Sequence, residues 1–185
     1  MDSLDNSSQP MSAPIWTTAL TYGAYCGGVF VVSSLLMYLA SVNLMSLSGV
    51  AILYGSIFAI GSTFAVLAIR HQRDHLDGGN ISYGKALLVG LVTVFIGVVI
   101  SGFWNYILIN FIDPNYIAVM KEQFMDAWGE NMPQEALEQA MEGFEKSGEL
   151  VSTLKSSLFG GIFFGLIIGL ITAAFLKKQP EISIR

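Results

Sequence analysis

His71 and His75 stand four residues apart in RHQRDHLDGG (70–79), with Asp74 between them and Asp77 beyond. On a helix that spacing turns both imidazoles to one face, an arrangement able to chelate a metal or to sense a proton. A metal site needs further ligands. Asp74 falls elsewhere around the helix, Asp77 adjoins the helix-ending Gly78-Gly79 pair, and Arg70 and Arg73 repel a cation. The plainer expectation is a solvated loop facing lipid headgroups. Cys26 is the single cysteine and lies in an apolar run, as a small buried hydrophobe does. Glu138, Glu142 and Glu145 are spaced as the wet face of a helix. The chain contains no phosphate-binding loop, nucleophile elbow or HExxH. No catalytic residue, metal ligand or cofactor is therefore assigned, and the expectation is a protein that is not an enzyme.

The elements around these residues are dominated by four apolar runs, at about 15–40, 47–69, 84–112 and 154–176. Ala86 to Ile112 carries no charge over 27 positions, more than the roughly 20 residues that span a bilayer core. Hydrophobic residues make up 53% of the chain and charged ones only 12%, where soluble proteins carry about 25% charged. The predicted fold is all-α: a polytopic membrane protein with four transmembrane helices (domain 15–178). A polar arm (1–14), read as disordered, precedes it, and a short tail (179–185) follows. No basic face exists to neutralise phosphates, which excludes nucleic acid as a partner.

Within the runs, small residues mark helix contacts. Gly161, Gly165 and Gly169 recur at intervals of four and form the best defined seam, and Gly97 and Ser101 form a second. Ser82 is placed to cap the third helix. Lys85 and Lys155, near helix starts, are expected to snorkel to headgroups. Asn105 is expected to bond across to a neighbouring helix, and Asn110 to be wet. No carboxylate is embedded in any run, which weighs against an ion-driven transporter made by one chain.

Between the third and fourth runs, about 113–150, Asp113-Pro114 reads as a cap with proline at the first helical position. Ile117, Met120, Phe124 and Trp128 then recur at helical spacing, as do Leu137, Met141 and Phe144 after a break at Gly129 to Pro133. This predicts a two-helix amphipathic external segment, its stripes covered by each other or by the bundle, since lipid-binding amphipathic helices are usually basic. Six basic residues (Arg70, Arg73, Lys85, Lys177, Lys178, Arg185) fall on the side of the termini and three (Lys121, Lys146, Lys155) on the other. The positive-inside rule then places both termini in the cytoplasm, in a bacterial inner membrane.

Three stretches carry a resemblance: GGNISYGKALLVGL (78–91), WNYILINFIDPNYIAVM (104–120) and the glycine-rich last run before Lys177-Lys178. Gly79, Ile81, Ser82, Tyr83, Gly84, Lys85 and Ala86 fit the pattern G-x-[IL]-[ST]-[FY]-G-[KE]-A. Trp104, Asn105, Tyr106, Asp113 and Pro114 fit an aromatic-Asn segment followed by a turn. From Thr18 to Lys178 the chain resembles a family of small bacterial membrane proteins, frequent in Bacteroidetes, classed as domain of unknown function 4199. The resemblance implies four spans and no particular activity. The functional expectation is a non-enzymatic membrane protein acting through helix packing or protein contacts, with lipid, a second copy or another membrane protein as partner. The alternative is a solute or ion transporter or channel subunit acting as an oligomer.

Overall fold

The computed structural model describes residues 14–178; apart from Pro14, the polar arm and the tail lie outside the described residues. Six α-helices run in order: α1 (Ile15–Leu39), α2 (Leu47–His71), α3 (Tyr83–Ile107), α4 (Tyr116–Trp128), α5 (Gln134–Lys146) and α6 (Leu150–Leu176). Two continue into π-helical turns, which carries α2 beyond its apolar run and takes α3 to the end of its own. α2 runs on through a π-helical turn, Gln72–Leu76, and α3 through another, Leu108–Ile112. α1, α2, α3 and α6 are each long and apolar enough to cross a membrane. α4 and α5 make up the segment between the third and fourth spans.

The connections follow from local chemistry. After α1, Ser41 takes a left-handed φ of 49°. The Asn43 side-chain oxygen then accepts from the Met45 and Ser46 amides, and Ser46 caps α2 by accepting from Gly49 N. A Cβ on Gly49 would lie 1.9 Å from the Asn43 carbonyl oxygen, so this tight return needs glycine. Between α2 and α3 the turn passes through Gly78 and Gly79 at φ 63° and 87°, values that favour glycine. Ile81 and Lys178 exchange backbone hydrogen bonds of 2.8 and 3.0 Å, which tie this connection to the end of α6.

α3 is the central helix, packed on α1, α2 and α6. Its contact with α6 sets the closest approach. The three glycines of α6 lie against α3 positions also four apart: Gly161 on Phe95, Gly165 on Leu91 and Gly169 on Leu87. A Cβ on Gly165 would sit 2.8 Å from the Leu91 carbonyl oxygen, so here helix backbone meets helix backbone. α1 joins the other side through Gly23 on Ile96 and Gly27 on Ile100, while Gly97 of α3 accommodates Cys26.

The small-residue packing among α1, α2 and α3 occupies one half of the bundle. On α1 the buried residues end at Phe30 and on α3 at Gly97, with Leu108 and Ile109 buried again only in the π-helical turn that follows. On α2, apart from Gly49 in its first turn, they begin only at Gly61. Large apolar side chains face outward instead, Phe159 at 75% and Phe175 at 84% exposure. In water such a surface would be unfavourable; against acyl chains it is not.

Gly165→Ala should lower stability by about 1–3 kcal/mol because the neighbouring backbone has nowhere to move. Gly55→Ala, at a site with open space around it, should be neutral or gain about 0.5 kcal/mol from helix propensity. Thermal unfolding of the two variants in micelles measures the contrast.

Candidate functional site

The residues of interest collect at the two ends of α3. At the first end Ser82 caps the helix, its hydroxyl accepting from Lys85 N at 3.3 Å. Lys85 does not snorkel. Its Nζ turns inward and lies 2.7 Å from Asp77 Oδ1, with the two side chains only 18% and 6% exposed. Gln72 is fully buried, donates from Nε2 to the same Asp77 oxygen at 3.3 Å, and accepts from the Thr18 hydroxyl at 2.7 Å. Thr18 of α1, the end of α2, the glycine turn and α3 are thus joined through one carboxylate. Asp77 Oδ2 is buried with no hydrogen-bond partner among the described residues.

This corrects the expectation of a simply solvated loop at 70–79. Gly78 and Gly79 fold the chain back sharply, and the π-helical turn swings Gln72 and Asp77 under the bundle rim. The histidines stay together nearby. Their rings are 5.0 Å apart, and His71 also lies 5.5 Å from the ring of Tyr22. The carboxylates around them are otherwise engaged, Asp74 with Arg73 at 2.6 Å and Asp77 with Lys85. Among the described residues no three His, Cys, Asp or Glu side chains converge.

At the other end the polar groups hold α4 and α5 over the bundle. Asp113 is not the cap of α4. Its Oδ1 accepts from Asn115 N at 3.1 Å in a turn that includes Pro114, and its Oδ2 accepts from the Tyr38 hydroxyl at 3.1 Å. The helix begins later, at Tyr116, so Pro114 is not its first residue. The reason is that the Asp113 carboxylate is taken up by Asn115 and Tyr38, so that only its backbone carbonyl accepts from the first amide of α4, that of Tyr116, at 3.0 Å. Tyr116 stacks edge-on against Tyr38 with ring centres 5.6 Å apart. Burial, followed by the neighbouring Tyr38 and Asp113, pushes the Tyr116 phenol above its usual range. At the far end of α4, Trp128 Nε1 donates to the Met45 carbonyl at 2.9 Å. Between the two helices, Phe124 meets Phe144 at 5.4 Å and Lys121 pairs with Glu145 at 3.0 Å.

The two asparagines depart from expectation in their bonding, although Asn110 is exposed as expected. Asn110 makes the cross-element bond, donating to the carbonyls of Tyr106 and Gly148 at 3.0 and 3.1 Å. Asn105 bonds to no neighbouring helix. It lines three adjoining cavities of about 210, 180 and 350 Å³ beneath α4 and α5. Ser101 lines the first of these and is not packed into a seam with Gly97. Both departures have one cause: the helices separate towards this end, so a side chain placed to reach a neighbour reaches space. Trp104 has its Nε1 buried with no hydrogen-bond partner among the described residues.

Thr18 and Gln72 are not singled out by the sequence, and Asp77 is read there only beside the histidines, not as the partner of Lys85. A signal existed only for Asp77, a carboxylate eight residues before Lys85 across a Gly-Gly turn. The burial of Gln72 depends on a neighbour 54 positions away.

Four apolar spanning helices joined by polar clasps at each end define a small multi-pass α-helical membrane protein. The profile of the family described as "Protein of unknown function (DUF4199)" matches residues 21–178, and the chain belongs to that family. No curated protein and no solved structure matches the chain.

Lys85→Met should leave the Asp77 charge buried without its cation and destabilise the fold by about 3–5 kcal/mol. Adding Asp77→Asn should recover a large part of that loss. A double-mutant cycle of unfolding in micelles measures the coupling.

Proposed function

We propose that this is a non-catalytic protein of the bacterial cytoplasmic membrane that works by presenting the α4–α5 hairpin outside the membrane to a protein partner. The observation that carries this reading is the hairpin itself. Neither α4 nor α5 has a buried residue, yet their placement is specified by the ties of Tyr38, Trp128 and Asn110. Glu135, Glu138, Glu142 and Glu145 are all exposed along α5. A fixed acidic surface suits a partner with a basic face, either another membrane protein or a basic part of a second copy. The six-to-three distribution of basic residues supports termini in the cytoplasm and the hairpin outside. Within one chain, the glycine-packed half of the bundle leaves little room for a solute path, which favours contact over transport.

In a Cys26→Ala background, Glu138→Cys should react with an impermeant maleimide in spheroplasts, and Ser183→Cys only after lysis. The reverse pattern overturns the orientation. A photo-crosslinker at position 142 should yield one discrete adduct in native membranes, lost when Glu138 and Glu145 are changed to Lys. Crosslinking that is absent, or unchanged by the charge reversal, overturns the contact reading. Solute flux through purified protein in liposomes would replace it with transport.

A further inference from the structure

We propose that the recess beneath the hairpin, centred on Asn105, binds a neutral amphiphile with one aliphatic chain and an uncharged hydroxyl- or carbonyl-bearing head. The inference is independent of the contact function above and rests on how the helices diverge.

One cavity, about 210 Å³, lies where α1, α2 and α3 part, and Tyr116 and Met120 of α4 contribute to its wall. It exceeds the roughly 150 Å³ that admits benzene in a protein interior. One part of its wall is apolar and adaptable, with Phe30, Leu53 and Ile57 beside Met37, Met45 and Met120. Unbranched methionines re-pack readily around a flexible chain. Another part is polar without charge: Ser33, Ser34, Ser56 and Ser101 together with Asn105. The adjoining cavity of about 180 Å³ on the far side of Asn105 adds Ser152 and Ser156 at the start of α6.

The hydrogen-bonding state of these groups selects the ligand. Elsewhere in the spans hydroxyls satisfy themselves on their own helix, as Thr63 does on Ala59 O, Thr93 on Val89 O and Thr172 on Ile168 O. Ser34, Ser101, Asn105, Ser152 and Ser156 make no hydrogen bond to the described protein. The carboxamide and hydroxyls open onto the recess without a partner in the chain, so a ligand that displaces water from it must satisfy them, since polar groups left unpaired away from water are costly. No Asp, Glu, Lys, Arg or His lines any of the three cavities that share Asn105. A charged head would therefore be desolvated without an ion pair, whereas a neutral glycerol or ester head would find donors and acceptors. The chain of the ligand then lies against the methionine-lined wall. The recess ends where the bundle closes, at Cys26 packed on Gly97, so it is a binding site with one closed end.

The test uses the full chain in phosphatidylcholine nanodiscs and a monoacylglycerol carrying a diazirine on its acyl chain. After photolysis, adducts should map to Met37, Met45 or Met120. They should be displaced by excess unlabelled monoacylglycerol, and not by the same chain ending in a phosphate. Ser101→Leu with Asn105→Leu should cut saturable labelling by about tenfold, as expected for loss of polar partners to the bound head. Phe163→Leu, on the lipid face, should leave it unchanged. Labelling spread without saturation over Phe159, Phe163 and Phe175 would overturn the proposal, as would equal competition by the phosphate-bearing analogue. The displacement pattern on the unaltered protein decides the matter even where the double variant folds poorly.

Discussion

The α3–α6 contact is the constraint on which the rest depends. Three glycines in consecutive turns of α6 bring its backbone against Leu87, Leu91 and Phe95 of α3, closer than any side chain would permit. In a bilayer no hydrophobic force drives helices together, so van der Waals contact at this distance must supply the attraction. With α3 fixed on one side by α6, its other side receives α1 through Gly23 and Gly27, and α2 fills the remaining angle with Gly61, Ala65 and Ala68. Small residues line the helix contacts because these are built from backbone approach, with Ile69, Leu108 and Ile168 buried among them, while large side chains such as Phe159 and Phe175 face outward.

Close approach at one end has a consequence at the other. α1, α2 and α3 are drawn together where their small residues are, and beyond Phe30, Gly97 and, on α2, before Gly61 that run gives way to the separate buried positions Gly49, Leu108 and Ile109. The divergence opens the recess at Asn105, and the hairpin lies across it on the ties of Tyr38 and Trp128. The opposite end is closed by different means, through the Asp77 carboxylate, the Ile81–Lys178 bridge and the glycine turn. Polar clasps hold both ends, but at the hairpin end the clasp spans a recess lined by further polar groups that have no partner in the chain.

The family to which the chain belongs has no described activity. What can be argued about function rests on that asymmetry between the ends of α3. The resemblance visible in the sequence falls at the same two places, around Lys85 and from Trp104 to Met120.

The sequence by itself determined the four spans, the amphipathic pair between the third and fourth, and the glycine stripe of α6. All three are local and periodic: uncharged length fixes a span, and spacing of four fixes a helix face. Tertiary structure decided where the polar side chains went. Lys85 near a helix start reads as a snorkelling lysine until the turn at Gly78-Gly79 returns Asp77 to it, and Asn105 reads as an interhelical bond until the helices are seen to separate. Both outcomes depend on how far apart helices stand at a given depth. That distance is set by packing among residues tens to more than a hundred positions apart, such as Thr18 with Gln72 or Gly61 with Ile168, and leaves no mark on local periodicity.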